Sequence, residues 1–200
     1  MNPLNTVAGT IVGGIILAVI IAAATMGIAF NTGSFLVWIH VLAGITWIGL
    51  LYYFNFVQVP ALADAAGDEG GPGAAGITKY VAPRALWWFR WGAALTWLSG
   101  AAYLLHLGRF QHAFALGTLE GSIPQDMIIG VGAWLGTIML FNVWVLIWPN
   151  QKKVLGIVEA SADEIAKAKR TAFLASRTNT LLSIPMLMSM VGYGHGGFFL

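Results

Sequence analysis

Five stretches of this chain are apolar over about the thickness of a bilayer, and that constrains its fold more than any other feature. They run from about Gly9 to Phe30, Ser34 to Val59, Arg84 to Leu107, Gln125 to Trp148 and Ser176 to Gly194. Hydrocarbon offers no partner to a bare N–H or C=O, so each stretch must close its hydrogen bonds internally as α-helix. Only 9% of the 200 residues are charged and 58% are hydrophobic, whereas a soluble domain carries about 25% charged residues. The expectation is an all-α, polytopic bundle of five transmembrane helices, forming one membrane domain over residues 1–200.

The first stretch has no Lys or Arg before it, so it reads as a retained helix and not as a signal peptide. Asn31-Thr32-Gly33 reads as a tight turn, and Pro60 and Pro149 read as the stops of the second and fourth spans. Asp64 to Gly76 is rich in Gly and Ala and reads as irregular. The charged stretch from Gln151 to Ala175 places Val154, Val158, Ile165 and Ala172 on one helical face, which predicts an interfacial amphipathic helix between spans four and five. Ser161 and Glu164 have capping-box spacing and predict a helix start at Ala162.

The basic residues fix an expected orientation. Lys79, Arg84 and Arg90 lie in or near one loop, and Lys152, Lys153, Lys167, Lys169, Arg170 and Arg177 lie in or near the other loop on that side. Only Arg109 falls opposite. Cytoplasmic loops collect Lys and Arg, so the N-terminus is expected in the cytoplasm and the C-terminus outside, in a bacterial inner membrane. The net charge of +2 carries no basic run of the nucleic-acid-binding kind. The absence of cysteine excludes covalent haem c, iron–sulfur clusters and thiolate metal sites.

His40 stands inside a span, about 9 Å below the expected outer surface at 1.5 Å per residue. Ionisable groups at such depth are costly and mark functional sites. His106, His112 and His195 fall toward the same expected side. The stripe His40, Gly44, Trp47, Leu51, Asn55, Gln58 follows helical spacing and should face the bundle, with Gly44 leaving room for a flat macrocycle. Two axial histidines would give a b-type haem suited to electron transfer: His40 with His195, and His106 in reserve. Arg109 could neutralise a propionate. Met186, Met188 and Met190 resemble a copper run, but alternate positions point to different helix faces, so copper is the weaker fit. The same His40 would also serve as interhelical hydrogen-bonding glue.

A second polar set lies toward the other side. Asn55, Arg90, Asn142, Arg177 and Asn179 could cradle an anionic substrate, although snorkelling arginines and interhelical amide bonds account for the same residues. Pro185 should kink the fifth span.

Three segments then carry a resemblance. His40-Val-Leu-Ala-Gly-Ile-Thr-Trp47-Ile-Gly49, Trp88-Phe-Arg90 through Trp97 to Gly100, and Asn179 through Pro185 to His195 resemble the N-terminal membrane domain of membrane-bound urate oxidase. Copper-resistance D-type and protoporphyrinogen-oxidase-like membrane proteins carry similar strings. The resemblance implies a membrane part that is followed by a c-type cytochrome domain and coupled to cytochrome c. On that comparison this chain reads as a truncated relative without the cytochrome domain, and His40, Trp88, Arg90, Trp97, Asn179, Pro185 and His195 are its matching positions.

Three functional readings are open at this stage. The first is an electron-transfer subunit with b-type haem, delivering to a periplasmic cytochrome c-like partner. The second is a urate-oxidase-like enzyme acting on an anion at Arg90 and Arg177. The third is a cofactor-free structural subunit of a larger membrane complex, whose 25 glycines permit close helix packing.

Overall fold

Prolines, which were expected to stop two helices, instead widen them. The computed structural model describes residues 2–196, and no strand forms among them. It divides into two units, residues 1–32 and 33–200.

The first unit is a 3-10 turn, Pro3–Asn5, followed by α1, Val7–Met26. Thr6 Oγ1 accepts from the Gly9 amide at 3.0 Å and caps the helix. The helix carries no charged residue and is apolar around its circumference, as suits a segment surrounded by lipid. Gly27 ends it at φ +85°, a conformation that favours glycine.

The second unit contains α2 (Thr32–Tyr53), α3 (Val59–Gly67), α4 (Ala82–His106), α5 (Phe110–Phe114), α6 (Pro124–Phe141), α7 (Trp148–Val154) and α8 (Ala162–His195). Three π-helical segments join or precede these: Phe54–Gln58, Ile77–Val81 and Asn142–Ile147. Each runs up to two residues before a proline: Pro60, Pro83 and Pro149. A proline has no N–H to give and its ring presses on the carbonyl four residues back. The turn before it opens by one residue and the helix continues. So α2 runs on through α3 to Gly67, and α6 through α7 to Val154. Neither Pro60 nor Pro149 is a stop.

The charged stretch after Pro149 is not a helix of its own. It forms the end of α7, a loop, and the first turns of α8. The predicted start at Ala162 holds, with Ser161 and Glu164 exchanging side-chain and backbone hydrogen bonds.

Four long rods pack antiparallel in sequence. The Gly92 side of α4 meets Trp47 of α2, and its Gly100 meets His40. Trp97 of α4 donates to Thr137 of α6 at 2.8 Å. Asn142, just past α6, donates to Asn179 of α8 at 2.8 Å. Tyr52 of α2 and Ser183 of α8 share a hydrogen bond of 2.9 Å, which closes the ring. The result is an up-down-up-down four-helix arrangement. Its core is built on Trp47, Leu51, Phe89, Met139 and Val143, all almost fully buried.

Three helical runs are long and apolar enough to cross a membrane: Val7–Met26, Thr32–Gly67 and Pro124–Val154. This is the composition of a membrane protein.

Candidate functional site

The crossing of α2 and α4 is made close by small residues. Gly92, Thr96 and Gly100 recur every four residues on α4, one face of the helix. A Cβ at Gly92 would stand 3.3 Å from the Trp47 amide nitrogen. At Gly100 it would stand 2.8 Å from His40 Cε1. Glycine at position 92 admits the α2 backbone, and glycine at position 100 admits the His40 ring.

His40 is half-buried in this crossing, and its Nδ1 lies 2.8 Å from the Thr96 carbonyl oxygen. A carbonyl only accepts, so Nδ1 carries the proton and Nε2 carries the lone pair. Such a bond sets the tautomer of a metal-binding histidine and orients its ring. It also ties α2 to α4. Gly44, by contrast, faces Thr96 Cγ2 at an ordinary 3.7 Å, so it serves the helix contact and opens no slot there.

A slot does occur on α6. Gly136 is buried, yet a Cβ there would meet nothing within 4 Å. Gly132 packs on Ser189, and Gly136 lies one turn further along the same face, so it is turned toward α8 near Pro185. Its neighbour Thr137 bonds Trp97, the residue after His40's partner. The space therefore lies at about the height of His40.

The other histidines are less enclosed. His195, the last residue of α8, is exposed and its Nδ1 donates to Val191 O at 3.2 Å. Because α8 is antiparallel to α2, His195 lies toward the same end as His40. His106 closes α4 and is exposed. His112 shares a 2.9 Å bond with Ser122. Among the described residues no three His, Asp or Glu side chains gather as a metal site.

Arg109 is already engaged. Its Nε donates to Asp126 at 2.9 Å, its Nη2 to the other carboxylate oxygen, and its Nη1 to Gly121 O at 3.3 Å. Asp126 is fully buried and also accepts from the Ile123 amide at 2.8 Å. A propionate at Arg109 would compete with this carboxylate.

The second polar set divides. Asn55, Arg90, Asn142 and Asn179 are buried. Asn55 Nδ2 donates to Leu51 O and to Ser176 Oγ, each at 2.8 Å. Asn179 accepts from Asn142 and donates to Met139 O at 2.9 Å. Arg177 is exposed and lies over Phe173 of its own helix, apart from the buried set. Arg90 is 8% exposed, its Cζ stands 3.3 Å from the Trp148 ring centroid, and its Nε and Nη1 have no hydrogen-bond partner among the described residues.

Several functional positions escaped the sequence reading. The Gly92–Thr96–Gly100 spacing was visible and would have placed the close crossing. Asp126, a lone carboxylate at the head of an apolar run, could have been paired with Arg109. The space at Gly136 had no sequence signal beyond one glycine among many.

No curated protein and no solved structure matches the chain. Residues 113–199, somewhat less than half of the chain, are similar to the family described as Urate oxidase N-terminal.

Proposed function

We propose that this chain is the membrane redox subunit of a urate-oxidase-type system, with a b-type haem held by His40 Nε2. The observation that carries this reading is the 2.8 Å bond from His40 Nδ1 to the Thr96 carbonyl, which leaves Nε2 as the donor lone pair. The space beside Gly136, at the same height in the bundle, supports it. His195, toward the same end of the bundle, would be the second residue to hold the group in this reading. The fit is that of a single well-oriented imidazole inside the bundle plus a second near its end. When bound, haem supplies one-electron chemistry. The protein's part is to fix the ring of His40 and to shield it from water.

In the same reading α4 and α8 also cross the bilayer, which gives five spans with the N-terminus in the cytoplasm. The concentration of Lys and Arg on two loops of one side supports that orientation. In this reading electrons leave at the outer face to a cytochrome c-like partner and come from urate or a similar flat anion, a choice that the match of residues 113–199 to the Urate oxidase N-terminal family supports. The test is the reduced-minus-oxidised absorption spectrum of detergent-purified protein expressed with haem precursor. A b-type difference spectrum that is lost in His40→Ala is expected, and a colourless wild-type protein overturns the reading.

A further inference from the structure

Arg90 is a buried cation with no counter-ion among the described residues. Among the described residues the ion pairs are Arg109 with Asp126 and Lys153 with Glu164. The remaining carboxylates, Asp64, Asp68, Glu69, Glu120, Glu159 and Asp163, are all exposed in loops or at helix ends. Within α4 there is no acid at all.

Neither of the usual accommodations applies. A snorkelling arginine carries its guanidinium to water, but this side chain is 8% exposed. A cation–π contact neutralises part of the charge, and Trp148 does lie 3.3 Å under Cζ. The guanidinium N–H bonds, however, lie in its own plane and the ring covers only its face. Nε and Nη1 are buried there without an acceptor among the described residues. Lys152 Nζ, 6.0 Å from the same ring, adds a second positive charge. Trp148 is aimed at Arg90 by the π segment Asn142–Ile147, whose extra residue turns the following side chains by about 100°. Such segments recur at functional sites because they re-aim a side chain at some cost in helix regularity. At the same end of the bundle Gln58 Oε1 is another buried atom without a partner.

We propose that Arg90 on Trp148 forms the cationic floor of a buried binding site for a small, flat organic oxyanion. The oxyanion accepts from the orphan N–H groups and supplies the missing charge. The assignment rests on the urate-oxidase reading only for the kind of anion to try first, and it needs no haem.

The experiment is thermal unfolding of the detergent-purified full chain, titrated with sodium urate and, separately, with sodium benzoate, against sodium chloride. Urate and benzoate share a delocalised oxyanion on a flat ring, and the two arms separate a heteroaromatic ligand from a simple carboxylate. A saturable rise in melting temperature with at least one of them, beyond that with chloride, is expected. Arg90→Met should melt no lower than wild type without ligand, because it removes an uncompensated buried charge, and should lose the anion-dependent rise. Arg90→Lys should keep the rise with affinity reduced about 10- to 100-fold. If Arg90→Met does not fold, the lysine variant decides. No rise in wild type with either anion, a rise retained in Arg90→Met, or unchanged affinity in Arg90→Lys overturns the proposal. Colour at His40 plays no part in this readout, so its failure and the failure of the haem reading are distinct results.

Discussion

His40 donates its Nδ1 proton to the main-chain oxygen of Thr96, 2.8 Å away on the facing helix, while its ring rests where Gly100 has no Cβ. Thr96 O also accepts from Ser99 Oγ at 3.1 Å, so this oxygen is a shared anchor. The imidazole is held by a backbone position and not by another side chain, and no substitution at Thr96 removes its acceptor. What can remove the seat is bulk on α4.

Gly100→Ala is therefore the sharpest probe of that seat. Its methyl would stand 2.8 Å from His40 Cε1 and 2.9 Å from Nδ1, so the ring must shift. Overpacking of this kind costs about 1–3 kcal/mol. Gly44→Ala, whose methyl would meet Thr96 Cγ2 at 3.7 Å, should be nearly neutral. Unfolding of the two variants in mixed detergent compares them directly, and equal stability of the pair would contradict the described crossing.

Asn142 and Asn179 should be coupled. Asn179 is fully buried, takes the Asn142 amide at 2.8 Å and gives its own to Met139 O at 2.9 Å. Asn179→Ala strands both partners, at about 1–3 kcal/mol. A double-mutant cycle with Asn142→Ala should return a coupling of about 0.5–2 kcal/mol, the range for interhelical amide bonds in lipid. Strict additivity would mean that the pair does not form.

Asp126→Ala should loosen the junction of α5 and α6. It removes the carboxylate that holds Arg109 Nε and Nη2 and the Ile123 amide. Loss of such charge-assisted bonds costs about 1.5–3 kcal/mol. Arg109→Met in the Asp126→Leu background should recover much of it, since no unpaired charge remains. Denaturant unfolding of the single and double variants is the measurement.

Acid should fray the start of α8. The Ser161 backbone N–H, then Lys153, hold the Glu164 carboxyl below its ordinary value near 4.5. A depressed folded value means that the stabilisation is present above the ordinary value and is lost as pH falls through the lower folded one. The protection of the Glu164 and Ile165 amides, measured as exchange relative to the intrinsic rate at each pH, should therefore fall on acidification below that ordinary value. In Glu164→Gln the dependence should disappear. Glu164 is exposed, so global stability should barely move.

The stripe His40, Gly44, Trp47, Leu51, Asn55, Gln58 was legible in the sequence because lipid admits so few polar side chains, and all six are turned at least partly inward. Asn142 and Asn179 were legible for the same reason. The prolines misled because the rule that proline stops a helix assumes that nothing holds the chain beyond it. Here the bundle does, and a one-residue widening is the cheaper answer. That widening also breaks the helical period, so the meeting of Trp148 with Arg90 could not be counted from spacing. Arg177 has the same chemistry as Arg90 but points away from the core, a difference that only three-dimensional packing decides.

Gly136 offers the last and most direct test of an internal space. A glycine within a helix is about 0.5–1 kcal/mol less favourable than alanine when nothing opposes the methyl. Nothing within 4 Å would oppose one at Gly136, so Gly136→Ala should melt higher than wild type. Gly132→Ala, one turn earlier on the same face, would press on Ser189 Oγ at 3.0 Å and Met190 Cε at 3.1 Å, and should melt lower. The contrast has a functional side as well. Gly136→Leu should leave a folded protein while filling the space at the height of His40, and any haem absorbance should fall with it. A folded Gly136→Leu variant with undiminished absorbance would place the haem elsewhere, and a Gly136→Ala variant less stable than wild type would mean that the space is not there.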